Sequence, residues 1–104
     1  MSPNKVFLYT ELQASKPFSE VNWQLLNPEM KKEKGLLKKT WLSGIHSNSV
    51  GGFYEFDSLE NARAFADGFF AREARQLGVS FTTKIFDGEV VEEASRDMRS
   101  PYYD

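Results

Sequence analysis

The sequence contains no cysteine, which excludes disulfides, thiolate metal sites and a cysteine nucleophile. Histidine is nearly absent as well: His46 stands alone, with no cysteine and no nearby carboxylate to complete a ligand set, so a metal centre is not expected. An excess of one charge is also lacking. Thirteen Lys and Arg against 15 Asp and Glu leave a formal net charge of -2, too weak a field to gather nucleic acid or an anionic membrane surface. No run is apolar enough to cross a bilayer, and the start, "MSPNKVFLYTEL", does not follow the basic-then-apolar plan of a signal peptide. The expectation is a cytoplasmic protein. There is no Gly-x-Ser-x-Gly elbow, so covalent hydrolytic catalysis has no support, and no internal repeat or low-complexity segment.

What is present is one small domain rich in rings. At 104 residues the chain can build a single core but not two, and we take residues 1–104 as one domain with 88–104 as a C-terminal tail. Nine Phe, four Tyr and two Trp make 14% of the residues aromatic. So many rings in so short a chain imply a core plus a ligand pocket or a subunit interface.

Periodicity divides the chain into six elements. "KVFLYTELQ" (5–13) alternates Val6, Leu8, Thr10 and Leu12 against Phe7, Tyr9 and Glu11, the period of a strand. "FSEVNWQLL" predicts a first helix capped by Ser19, with Val21 and Leu25, joined by Trp23 and Leu26, as its apolar stripe. Pro28 interrupts it, and "PEMKKEK" adds a further turn before Gly35. "LLKKTWLSGI" (36–45) is a second strand, with Leu37, Lys39, Trp41 and Ser43 on one side and Leu36, Lys38, Thr40 and Leu42 on the other. A polar turn at 46–50 leads into a third strand, "GGFYEF". Residues 57–78 form a long amphipathic helix capped by Asp57 or Ser58, with Leu59, Ala62, Phe65, Ala66, Phe69, Phe70 and Leu77 on its apolar side, ended by Gly78. "VSFTTKIFD" (79–87) is a fourth strand. The tail carries Glu89, Glu92, Glu93, Asp97 and Asp104 against Arg96 and Arg99, ends in Tyr102 and Tyr103, and either frays or lies across a partner subunit.

The order β, α, β, β, α, β names a ferredoxin-like α+β sandwich, an antiparallel four-stranded sheet with helices on one face. Its second face carries apolar and aromatic residues and needs a subunit or ligand to cover it.

Several constellations compete for function. Gly51 and Gly52 do not suit a phosphate: such loops run from strand into helix, whereas this pair follows a hairpin turn and opens a strand. A positive φ at a bulge is the simplest backbone reading. RNA recognition on the same topology stacks bases on aromatics of the first and third strands. "VFLYTE" and "SVGGFYEF" loosely fit that pattern, but Ser49 replaces a basic residue and Gly51 replaces a stacking ring. "KKEKGLLKK" reads equally well as a solvated helix end and strand edge. His46 at a hairpin tip is either a polar turn residue or an acid–base group. Glu11 and Glu55 are expected on a solvated strand face. Trp41, Tyr9, Tyr54 and Phe56 are each at home in a core. As a cluster, rings with polar tips suit a pocket for an aromatic ligand, and Trp41 is expected opposite a residue between 53 and 56.

"GLLKKTW" (35–41), "GGFYEF" (51–56), "LGV" (77–79) and "KIFD" (84–87), in this order and spacing, resemble the YdhR-type mono-oxygenases of the dimeric α/β-barrel superfamily. The likeness spans roughly residues 17–87 and runs without a gap from Gly51 to Asp87. It implies a protomer whose bare sheet face packs on its twin in a homodimer, with a pocket between sheet and helices. Trp41, Gly51, Gly52 and Tyr54 are the matched positions that it places at that pocket. The haem-degrading relatives need an axial His on the second helix, and residues 58–77 contain none. The expectation is therefore a cofactor-independent mono-oxygenase taking a small, phenol-like aromatic and molecular oxygen, without nucleic acid or membrane partners. Trp41 and Tyr54 would orient the ring, while His46, Tyr9 or Asn48 would assist proton transfer or bind the oxyanion. Gly51, Gly52 and Phe56 complete the expected substrate-binding set. A non-catalytic binding protein with the same pocket is the alternative.

Overall fold

A computed structural model describes residues 3–103. Strands β1 (Val6–Gln13), β2 (Leu36–Ser43), β3 (Ser49–Phe56) and β4 (Phe81–Asp87) form one sheet in the order β2-β3-β1-β4, and each adjacent pair is antiparallel. This is the expected ferredoxin-like arrangement. The alternation in β1 orients it: Val6, Leu8 and Thr10 are fully buried on the helix-covered side, opposite Phe56, Tyr54 and Gly52 of β3. These residues meet Ala62 and Phe65 from α2 (Leu59–Phe65) in the main core. Each large apolar side chain so buried contributes about 1.5–3 kcal/mol.

The long helix begins where Ser58 accepts the Asn61 N–H at 3.1 Å, and ends at Gly78, which takes the left-handed φ of 68° that favours glycine. It is not uniform. A π-helical segment, Ala66–Phe70, separates α2 from α3 (Ala71–Leu77). Its wider turn adds a residue to the helical phase, so Phe65, Phe69 and Phe70 all face the same cavity.

Three expectations about the first helix are corrected. Residues Phe18–Glu20 form only a 3-10 turn, and α1 runs from Trp23 to Met30 with Asn22, not Ser19, at its N-cap position. Pro28 lies inside it rather than stopping it: the short helix tolerates one missing amide donor, and Lys31 N–H still reaches Asn27 O at 2.9 Å. Its apolar stripe also differs, since Met30 is buried while Leu25 is 68% exposed.

In β2 a register irregularity between Leu36 and Lys38 pairs Leu36 with Phe56 and Lys39 with Tyr54. Leu36 consequently packs on the core with Trp41 and Leu37 is left exposed, the reverse of simple alternation. The same register sets Trp41 opposite Gly52, not opposite a residue after the glycines.

The outer sheet face is partly covered by the chain's own tail. After α4 (Glu92–Asp97), Tyr102 and Tyr103 approach Phe7 with ring centroids at 5.6 and 5.9 Å, and Tyr102 also meets Phe53 at 5.2 Å. Hydrogen bonds hold them: the Tyr103 hydroxyl donates to Gly88 O at 2.7 Å, and the Tyr102 and Thr40 hydroxyls lie 3.1 Å apart. Glu55 belongs to this covered region and not to a solvated face. It is buried, with Lys5 Nζ at 2.9 Å from one carboxylate oxygen, while its other oxygen lacks a hydrogen bond.

Candidate functional site

Between the inner sheet face and the helices lies a cavity of about 400 Å³. Trp41 and Tyr54 from the sheet, with Phe65, Phe69 and Phe70 from the helical layer, supply its aromatic walls, and Leu12 and Val50 add aliphatic surface. Leu25 and Leu77 also line it while remaining 68% and 63% exposed, so they form an apolar rim at an opening toward solvent. Such an enclosure, apolar with few polar groups, suits a ring-shaped small molecule.

The walls are held in place by specific contacts. Trp41 Nε1 donates to Asn27 Oδ1 of α1 at 3.0 Å, and Phe18 lies against the indole with centroids 5.4 Å apart. The Tyr54 hydroxyl is 3.0 Å from Thr10 Oγ1. Burial raises the Tyr54 pKa to about 12, outweighing the opposing effect of the Thr10 bond, so this phenol stays protonated at neutral pH. Phe65 and Phe69 stack with centroids 5.5 Å apart and planes 13° from parallel.

Lys39 is the one strand-borne cation in this enclosure. Its Nζ sits 3.3 Å from the Trp41 ring centre and 4.8 Å from that of Tyr54, and it points a hydrogen bond at Met30 Sδ, 3.3 Å away. Among the described residues no carboxylate lies within ion-pair distance of it. Desolvation lowers its pKa to about 7, because an amine withdrawn from water and given no counter-charge loses its preference for the ionised form. Lys16, Glu20 and Glu73 are the other charged residues at the cavity wall.

The glycine pair makes this arrangement possible. Neither Gly51 nor Gly52 has positive φ, so the pair is required by space rather than by a left-handed turn. A Cβ on Gly52 would stand 2.6 Å from Lys39 Cε and 3.1 Å from the Tyr54 ring; the missing side chain is the slot through which Lys39 crosses. A Cβ on Gly51 would collide with the backbone carbonyl of Thr10.

The expected site residues therefore separate. Trp41, Tyr54 and Gly51 border the cavity and Gly52 adjoins it. Phe56 is fully buried beneath, its ring 6.2 Å from Tyr54 and 5.5 Å from Phe65. Tyr9 lies on the opposite sheet face, where its hydroxyl donates to Glu11; that bond, with burial and the carboxylate charge, raises its pKa. His46 and Asn48 are exposed in the β2–β3 turn, away from the cavity wall, and His46 takes a φ of 60° there. Sequence composition groups Lys39 with a solvated lysine cluster, which the structure corrects. Its alternation with Trp41 and its place beside a residue without a side chain were the signals that set it apart.

The sheet order, the helices on one face and the cavity between them define a ferredoxin-like α+β domain with an internal apolar pocket. The chain belongs to the family described as "Putative mono-oxygenase ydhR", whose model matches residues 7–101. That match takes in β1 from Phe7 onward and most of the tail, beyond the 17–87 span of the motifs. No curated protein matches the chain by sequence.

Proposed function

We propose that this protein is a mono-oxygenase that inserts one oxygen atom into a small, phenol-like aromatic substrate held in the cavity, using no organic cofactor. The aromatic enclosure formed by Trp41, Tyr54, Phe65, Phe69 and Phe70 carries this reading, together with the family's mono-oxygenase description. Trp41, fixed by Asn27 and carrying Lys39 Nζ over its ring, supplies one wall of the substrate site, and Tyr54 supplies a second. An anthrone-type substrate balances the reaction without an added reductant. Its activated CH2 loses both hydrogens and four electrons in all, one oxygen atom becomes the new carbonyl and the other leaves as water. The protein's contribution is to bind the ring, exclude water and favour the carbanion or phenolate that reacts with oxygen.

We further propose a homodimer formed through the outer sheet face, where Phe86 (46% exposed) and Leu42 (37% exposed) stand beyond the reach of the tyrosine tail. On that face Phe7 and Phe53 are already met edge-on or tilted by Tyr102 of the tail, which argues against a platform for RNA bases. We place the protein in the cytoplasm, since its cysteine-free sequence has no need of an oxidising compartment; no helix among the described residues is long and apolar enough to cross a membrane. Oxygen uptake on a panel of anthrones and quinols, with the protein and with Trp41→Ala, tests the reading. Protein-dependent uptake that Trp41→Ala abolishes while leaving the sedimentation coefficient unchanged is the expected result. No uptake on any member, or an unchanged rate in the variant, refutes it and leaves a binding protein.

A further inference from the structure

Lys39 is an unusual residue to find inside an apolar enclosure. Burying an amine costs free energy unless a partner compensates, and its neighbours are two ring faces and a thioether. Packing alone does not call for it, because a methionine would fill the same slot without that cost. The glycine diagonal to it on the next strand is also costly, since Gly52 forgoes a side chain in the middle of a strand and the space it leaves is occupied by the Lys39 stem. Two unfavourable choices at diagonal positions of neighbouring strands converge on one outcome, a nitrogen delivered over the indole of Trp41 at the cavity wall.

We propose that Lys39 is the acid–base group of the cavity, whose amine takes the hydroxyl proton of a ring-hydroxylated aromatic and, as an ammonium, holds the oxyanion that remains. The step balances: the substrate O–H bond breaks with its electron pair left on oxygen, a new N–H bond forms, and no electron is transferred to or from the protein. It rests on the reading of the cavity as an aromatic-binding site and narrows the substrate class to phenols that ionise near neutral pH.

The surroundings suit both halves of the step. Before binding, the half-buried nitrogen is held near pKa 7 by desolvation, so a large fraction is free to accept a proton at physiological pH. After transfer, oxyanion and ammonium form a contact pair in a site of low dielectric, where their attraction is stronger than in water. Trp41 and Tyr54 present ring faces to the ammonium, which adds a favourable quadrupole interaction. The other charged groups at the wall are Lys16 from the loop after β1, Glu20 from the 3-10 turn and Glu73 from α3. None of them pairs with Lys39, so the nitrogen is available to a ligand. Tyr54, with its raised pKa, does not compete for the proton.

The test uses para-nitrophenol, a probe that ionises near neutral pH and whose neutral and ionised forms absorb at different wavelengths. It needs no oxygen chemistry, so its failure is separable from failure of the mono-oxygenase reading. At one pH unit below the free probe's pKa, about one-tenth of free probe is ionised. The expected result with the full-length protein is that more than half of the bound probe shows the phenolate band, a rise of about fivefold or more in the ionised fraction. Lys39→Met, which keeps the stem and loses the nitrogen, should bind probe with that band absent. Gly52→Ala, which displaces the Lys39 stem, should weaken the band while leaving the lysine in the chain. A wild-type protein that binds only the neutral form, or no probe at all, overturns the proposal on its own, whether or not the variants fold. An equal phenolate fraction in wild type and Lys39→Met overturns it too.

Discussion

Replacing Lys39 by Met should make the protein more stable, and most so in acid. The native amine has a pKa of about 7 against the ordinary 10.5 that it regains on unfolding. Between these values the unfolded chain carries a proton that the native chain lacks, so raising the pH favours the native state. The burial penalty is therefore complete below pH 7, shrinks as pH rises, and is gone above 10.5. At about 1.4 kcal/mol per pH unit, this separation sets a ceiling of about 5 kcal/mol. Lys39→Met should gain up to that ceiling at pH 6, since both states of wild type are then protonated and the full penalty is present. Urea unfolding followed by far-UV circular dichroism, at one protein concentration and at intervals from pH 6 to 10, measures the difference between the two proteins. That difference should fall steadily above pH 7 and reach about 1 kcal/mol or less by pH 10. A constant difference across the range, or a variant less stable than wild type at pH 6, would refute the account of Lys39 as a half-buried cation with no counter-charge.

The two glycines should respond unequally to the same substitution. Gly51→Ala sets a methyl against the Thr10 backbone carbonyl, which cannot give way, and should cost about 4 kcal/mol or more in urea unfolding; Gly52→Ala meets the flexible Lys39 stem and should cost about 1–2 kcal/mol. Tyr54→Phe leaves the fully buried Thr10 hydroxyl without the partner it has 3.0 Å away, a loss of about 1–2 kcal/mol measurable in the same assay; Tyr54→Phe combined with Thr10→Val should recover part of it. Tyr103→Phe removes the bond to Gly88 O but keeps the ring on Phe7; it should cost about 1 kcal/mol and increase amide exchange in 98–103 without altering the cavity's affinity for para-nitrophenol.

The family's architecture is written in local pattern. Period-two alternation in β1 and the cap-to-glycine span of 58–78 are short-range signals, and the β, α, β, β, α, β order leaves few topologies open. Trp41 and Tyr54 are legible as cavity residues from their residue type in a cluster of rings with polar tips and from the family resemblance, and the sheet register puts both on the helix side. Tyr9, by the same alternation, belongs to the other face, where ring chemistry alone does not reveal it. His46 and Asn48 have the chemistry for a site but lie in a turn whose position relative to the cavity is set by the whole sheet.

What only tertiary structure decided are the features that depend on residues far apart in the chain. The shifted register at Leu36 is one, because it is chosen by which leucine fits beneath the helices. The tail's place is another, because Tyr102 and Tyr103 find Phe7 and Phe53 only once the sheet has assembled them. Lys39 is the most consequential. A lysine beside a second lysine reads as solvated by composition, and its desolvation exists only when Trp41, Tyr54 and Met30 close around it. The amino-acid sequence by itself determined the four strands, the span of the long helix, the absence of cysteine and the small net charge, since each is a property of neighbouring residues or of the sum. The low pKa of one amine, and with it the chemistry available in the cavity, came from the exclusion of water by elements brought together in the fold.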